Sequence, residues 1–159
     1  MRLSIILALT PLLLVTGCAH NISNNSLALV DPTITFEILL KNPEAYRGKF
    51  VVFGGVIAAA QKTAEGTRIE IVQYDLDPRE LPDTTTSSRG RFMAITPESI
   101  GRTMCRSGRL VTIAGEVDGK EVIPLQGVDY SYPMINVKEL HLFKLSDEES
   151  FGVWIPYIR

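Results

Sequence analysis

The chain has 159 residues, 45% of them hydrophobic and 21% charged, with a formal net charge of −2 at pH 7. That length suits one domain with an appendage, and the composition excludes collagen-like and disordered chains. The weakly acidic balance argues against a dedicated nucleic-acid binder, which carries a basic excess, so no nucleic-acid partner is expected.

Residues 1–17 differ from the rest. Arg2 gives a positive start, Ile5 to Val15 is apolar apart from Thr10 and Pro11, and no acidic residue precedes Asp31. A charged start, a short apolar run and small residues at its end make a secretory signal peptide. A transmembrane helix needs about 20 apolar residues; this run is shorter, and Pro11 interrupts it. It ends in Val15-Thr16-Gly17-Cys18, which resembles the bacterial lipobox. The resemblance implies attachment of diacylglycerol to the Cys18 thiol, cleavage between Gly17 and Cys18, and acylation of the new amino group. Each buried methylene adds about 0.8 kcal/mol, so several acyl chains hold stably where one does not. Ala19 follows where lipoproteins retained in the inner membrane carry Asp, which points to the outer membrane. The partner expected first is therefore the membrane, reached through the acyl chains.

Residues 18–32 are rich in Asn and Ser and read as a lipidated tether, able to span roughly 45 Å when extended. Leu27 to Val30 could instead pack on the domain. The domain itself is expected over 33–145. Apolar residues at 36, 39 and 40 predict a short helix capped by Thr33 or Thr35 and ended before Pro43. Lys49 to Ala58 predicts a first strand, with Gly54-Gly55 inside it as a bulge or sharp coil. Thr67 to Leu76 alternates as a second strand, with Ile69 and Ile71 on one face and Arg68 and Glu70 on the other. A long polar loop follows, then a short strand from Gly90 to Ile95. Pro97 to Gly101 reads as one helical turn.

Arg109 to Val117 places Val111, Ile113, Gly115 and Val117 on one face, and Asp118-Gly119 is a two-residue hairpin signal. Glu121 to Leu125 would be the return strand, with Pro124 demoting it toward an edge. Pro133 to Lys144 closes the series, with Leu140 and Leu142 opposite Glu139 and His141. Residues 146–159 form an aromatic tail that either packs across the domain or meets a partner or the membrane. Parallel crossovers need a dozen or more residues, usually helical, and no long helix lies between these five or six strands, so the sheet is expected to be mostly antiparallel. The fold expected is mainly β: a small antiparallel five- to six-stranded OB-like barrel with one or two short helices, the helical turn lying between the third and fourth strands. A two-sheet sandwich is the rival.

The inventory for catalysis is poor. His20 and His141 lie far apart in sequence, no Cys/His spacing suits zinc, and the paired carboxylates fall in turns. No catalytic residue, metal or cofactor is expected beyond the lipid on Cys18, and the chain reads as no enzyme. Cys105 has no intramolecular partner once Cys18 is acylated and reads as a half-buried small apolar residue, with an intermolecular disulfide or a redox role as the alternative. Arg89, Arg91, Arg102, Arg106 and Arg109 lie within about twenty residues. Sharing one face, they (Arg89, Arg91, Arg102 and Arg109 above all) would bind an anionic glycan or lipid headgroup; otherwise they are a dispersed soluble surface.

The segments NPEAYRGKFVVFGGVI at 42–57, SSRGRFMA at 87–94 and GRLVTIAGEVDGKEVIPLQGVDYSYPMINVKELHLFK at 108–144, with the lipobox, resemble the Slp family of outer-membrane lipoproteins, the starvation-inducible group. The tail here is shorter than in many members. The resemblance implies an outer-membrane lipoprotein, lipid-anchored and facing the periplasm, with a stress association but no settled activity. The expected role is therefore non-catalytic, a binding or structural part in the envelope with a protein, glycan or lipid partner. The alternative is an OB-like module for an envelope glycan or anionic lipid headgroup.

Overall fold

A computed structural model describes residues 20–101 and 103–144. The signal peptide, Gly17, Cys18, Arg102 and the aromatic tail lie outside the described residues. Two short helices precede five strands: α1 (Asn24–Leu27), α2 (Phe36–Lys41), β1 (Phe50–Thr63), β2 (Gly66–Tyr74), β3 (Gly90–Thr96), β4 (Leu110–Leu125) and β5 (Val128–Leu142). The strands close into one barrel in the order β1-β2-β3-β5-β4, an OB-like arrangement that rules out the sandwich. Every pairing is antiparallel except β3 with β5, which is parallel over Met93↔Met134, Ala94↔Ile135 and Ile95↔Asn136.

Sequence pattern explains most of this. Helix α2 starts where the Thr35 hydroxyl accepts from the Ile38 amide at 3.3 Å, satisfying one of the orphan donors of the first turn. It ends before Pro43, whose ring cannot continue the α-helix but opens a 3-10 turn, Pro43–Tyr46. Phe36 and Leu39, three apart and so on one face, bury against one end of the barrel. Inside lie the alternate residues of each strand, among them Ile69 and Ile71, Phe92 and Ala94, Ile113 and Ile135. Cys105 joins this core at 4% exposure, and burial pushes its thiol pKa up.

Three expectations need correction. Asp118-Gly119 makes no hairpin; β4 runs straight through it to Leu125, with a register shift between Val117 and Lys120. The reason is tertiary. Arg47 donates to Asp118 at 2.7 Å and to Glu44 at 2.6 Å, and Glu44 accepts from the Lys120 amide at 3.1 Å. The turn after α2 thus holds the Asp-Gly pair as a bulge. The real hairpin is at Gln126-Gly127, both with positive φ (+52° and +84°), as a right-twisted two-residue turn requires. Second, the described part of 97–109 contains turns and no helix; both short helices precede β1. Third, the bulge of β1 lies between Ile57 and Ala59, not at Gly54-Gly55.

The described part of the expected tether is not free chain. His20 Nδ1 lies 2.5 Å from Glu80 Oε1, the Asn21 amide donates to Glu80 Oε2 at 2.9 Å, and Ile22 is 1% exposed. The Ser23 amide and hydroxyl and the Ser26 hydroxyl all donate to Glu139 on β5. Residues 20–27 are a strap strung between two carboxylates. Burial alone would raise the pKa of Glu139, but the bonds from Ser26 and Ser23 outweigh it and hold the carboxyl below its ordinary 4.5. Its folded value is depressed, so its contribution is present above that ordinary value and lost as pH falls through the folded one. Glu139→Ala should loosen the strap and cost about 1 kcal/mol. Amide exchange at residues 22–28 checks this, and protection equal to the parent's would rule it out.

Candidate functional site

The loop after β2 and the end of α2 shape one side of the barrel. Asp77 accepts from the Arg79 amide at 2.7 Å and the Leu81 amide at 2.9 Å, curling the loop so that Leu81 packs with Leu110 and Phe143. Thr112 Oγ1, fully buried on β4, donates to the Glu80 carbonyl at 2.6 Å. Half of the expected polar loop thus covers the outer face of β4, which is why β4 is buried on both faces.

Beside this loop, where α2 caps the barrel, lies a cleft of about 330 Å³. Its floor is apolar: Phe36 and Phe53 meet edge to face with centroids 5.4 Å apart, flanked by Val52 and Leu76. Its rim is charged. Arg89 donates to Asp75 at 2.8 and 2.9 Å and also pairs with Glu37 on α2. The Arg89 guanidinium holds the Asp75 carboxyl below the usual range, and Arg89 is raised in turn.

Gln73 reaches into the same cleft. It occupies the fourth inward position of β2, after Thr67, Ile69 and Ile71, and is 3% exposed. Its Nε2 donates to the Tyr74 carbonyl at 2.8 Å, but its Oε1 is buried without a hydrogen-bond partner. A buried unpaired acceptor costs roughly 1–3 kcal/mol, so it asks for a donor from a ligand or an ordered water. The sequence held the signal, a polar residue continuing an inward Ile-x-Ile alternation.

The described arginines do not assemble into a cationic face. Arg91 donates to Glu70 at 2.8 Å, and Glu70 accepts from the Tyr132 hydroxyl at the same distance. Burial and then Glu70 push the Tyr132 pKa up to about 12. Arg109 donates to the backbone carbonyls of Phe143 at 2.8 Å and Met104 at 3.0 Å, pinning the end of β5. Arg91 on β3 and Arg109 at the entry to β4 sit on strands that are not neighbours in the ring. Arg89 and Arg91 are thus engaged by carboxylates, and Arg106 is exposed. His141 lies across from Thr112, its ring 4.6 Å from Phe143. Among the described residues no three His, Cys, Asp or Glu side chains gather as a metal site, and no helix is long and apolar enough to cross a membrane.

The sequence profile of the outer membrane lipoprotein Slp family matches residues 15–158. No curated protein matches the chain in sequence. Among solved structures, the mitochondrial single-stranded DNA binding protein of S. cerevisiae is similar at 11% identity, with 61% of this chain and 96% of that chain covered and a TM-score of 0.37. A small single-stranded DNA-binding protein of Streptomyces coelicolor is similar at 9% identity, with 62% and 97% covered and a TM-score of 0.36.

Proposed function

This chain belongs to the outer membrane lipoprotein Slp family, and from that premise we propose that it is a non-catalytic binding protein, anchored through acylated Cys18 and facing the periplasm, whose site is the cleft capped by α2. The observation that carries the reading is the unpaired Gln73 Oε1 at an apolar-floored cleft. Pockets that bind small molecules are mostly apolar with a few placed polar groups, and this one has that form. The acids at its rim are engaged by Arg89, which supports binding rather than proton transfer.

Of the two ligand classes expected for an OB-like envelope module, a neutral glycan suits the cleft better than an anionic headgroup. Sugar hydroxyls donate to an amide carbonyl, and the C–H face of a sugar ring stacks on aromatic edges. An anion would meet Glu37 and Asp75 beside one already paired arginine.

The test uses the full lipidated chain in detergent, titrated calorimetrically with neutral saccharides and, separately, with inorganic phosphate. Gln73→Met should weaken saccharide binding about tenfold or more, the loss of one good hydrogen bond worth roughly 1.5 kcal/mol. Its folding stability should stay within about 1 kcal/mol of the parent's, because the lost Nε2 bond is offset by removing an unpaired buried acceptor. Saccharide binding that survives Gln73→Met unchanged, or tighter binding of phosphate, refutes the assignment. Acyl mass on the N-terminal peptide, absent after Cys18→Ser, tests the anchor independently.

A further inference from the structure

We infer that the barrel lies directly on the lipid surface with the 77–81 loop facing the bilayer, and that the β4–β5 hairpin tip is its membrane-distal end. The inference rests on the Cys18 anchor proposed above, and on chain length. Only Ala19 lies between Cys18 and His20, so their Cα atoms are at most about 7 Å apart. His20 is held on Glu80, Asn21 donates to the Arg79 carbonyl and the Glu80 carboxylate, and buried Ile22 seals the strap behind them. A cysteine whose acyl chains lie in the membrane therefore leaves no slack. The part of the barrel beside His20, with exposed Pro78 and Arg79 at the loop tip, is drawn against the headgroups.

The opposite pole follows from β5. Val128, which follows the hairpin turn, begins β5, and Glu139, which holds the strap, lies near its other end. Eleven residues at about 3.3 Å each put them up to roughly 36 Å apart. The hairpin runs on past the ladders of the barrel wall, with Tyr130 and Ile123 still packed on β3. Pairing of β1 with β4 stops at Glu116 and pairing of β3 with β5 begins at Met134, whereas β4 and β5 go on pairing with each other from Lys120↔Pro133 to Leu125↔Val128. At its tip Val122 is 55% and Val128 71% exposed.

The experiment places a bimane label at Arg79→Cys, or at Pro78→Cys as a second position, and in a separate protein at Val128→Cys. Cys105 is buried and does not compete for the label. Each full-length lipidated protein is reconstituted in phosphatidylethanolamine–phosphatidylglycerol vesicles with or without nitroxide-headgroup lipid. The expected result is loss of fluorescence at 78 or 79 and none at 128. Adding Glu80→Ala and Glu139→Ala should abolish that loss, because the freed strap becomes a tether of roughly 45 Å. Equal quenching at both poles in protein that carries acyl mass overturns the orientation and leaves the anchor standing. Absence of acyl mass overturns both.

Discussion

Phe92→Ala should destabilise the domain by about 4 kcal/mol, near the middle of the range for a buried aromatic ring deleted from a core. Phe92 is fully buried on β3, and its ring packs 5.9 Å from Phe36 and 6.3 Å from Phe53. It is the point where the capping helix, the first strand and the third strand meet. The neighbours on its sides belong to different elements and are fixed by their own pairings, so they cannot collapse into the gap. Phe36 and Phe53 also form the cleft floor, so binding should weaken with stability. Urea unfolding measures the first and calorimetry the second. A loss under about 1 kcal/mol, typical of an exposed site, would show that this ring is not the centre of the core.

Gly55→Ala should cost about 3 kcal/mol or more, at the upper end for overpacking. A Cβ at Gly55 would lie 1.9 Å from the Val72 carbonyl oxygen and 2.8 Å from its carbon. Those are backbone atoms of β2, and β2 cannot retreat without breaking its register with β3. Residue 55 also pairs with Val111 of β4 on its other side, so β1 has no room to shift away. The comparison that isolates the steric term is Gly108→Ala, where φ is +88° but no atom lies within 4 Å. That variant should lose only the left-handed backbone penalty of about 1–2 kcal/mol. Equal midpoints for the two variants would show that close strand approach is not what residue 55 provides.

The glycine pair shows how far sequence reading reaches. Its presence inside a Val-rich strand signals unusual backbone, a bulge or a sharp coil; the bulge lies three residues on, and what the pair provides is close strand approach, which leaves the same local mark. Elements with a strong period were legible: α2, the five strands, and the inward isoleucines of β2. Cys105, expected half-buried, lies fully in the core. The Asp-Gly pair misled because its local preference was overridden by Arg47 and Glu44, residues more than seventy positions away. The strap was illegible for a related reason. Its anchoring carboxylates, Glu80 and Glu139, are 59 to 116 residues away from the groups they hold, and a run of Asn and Ser has no period to betray it. The arginines looked like a cluster because they are close in sequence. The acidic partners of Arg89 and Arg91, which are Glu37, Asp75 and Glu70, come from other elements, and only the folded chain shows those two charges matched.

The short parallel contact between β3 and β5 gives the barrel a seam. Only three residue pairs close it, in the less favourable parallel geometry. Beyond it the ladder with β5 stops, and the amide of Arg91 donates to the Tyr130 hydroxyl at 2.8 Å. Cylinders with one thin weld open there first. Local opening should begin between β3 and β5 rather than along the thirteen-pair β4–β5 ladder, giving the earliest hydrogen exchange of any strand amides. What such opening bares is an unpaired strand edge, the surface by which one chain recruits another into a growing sheet. Tyr130, set over that edge, ties the hairpin to β3 where the ladder ends.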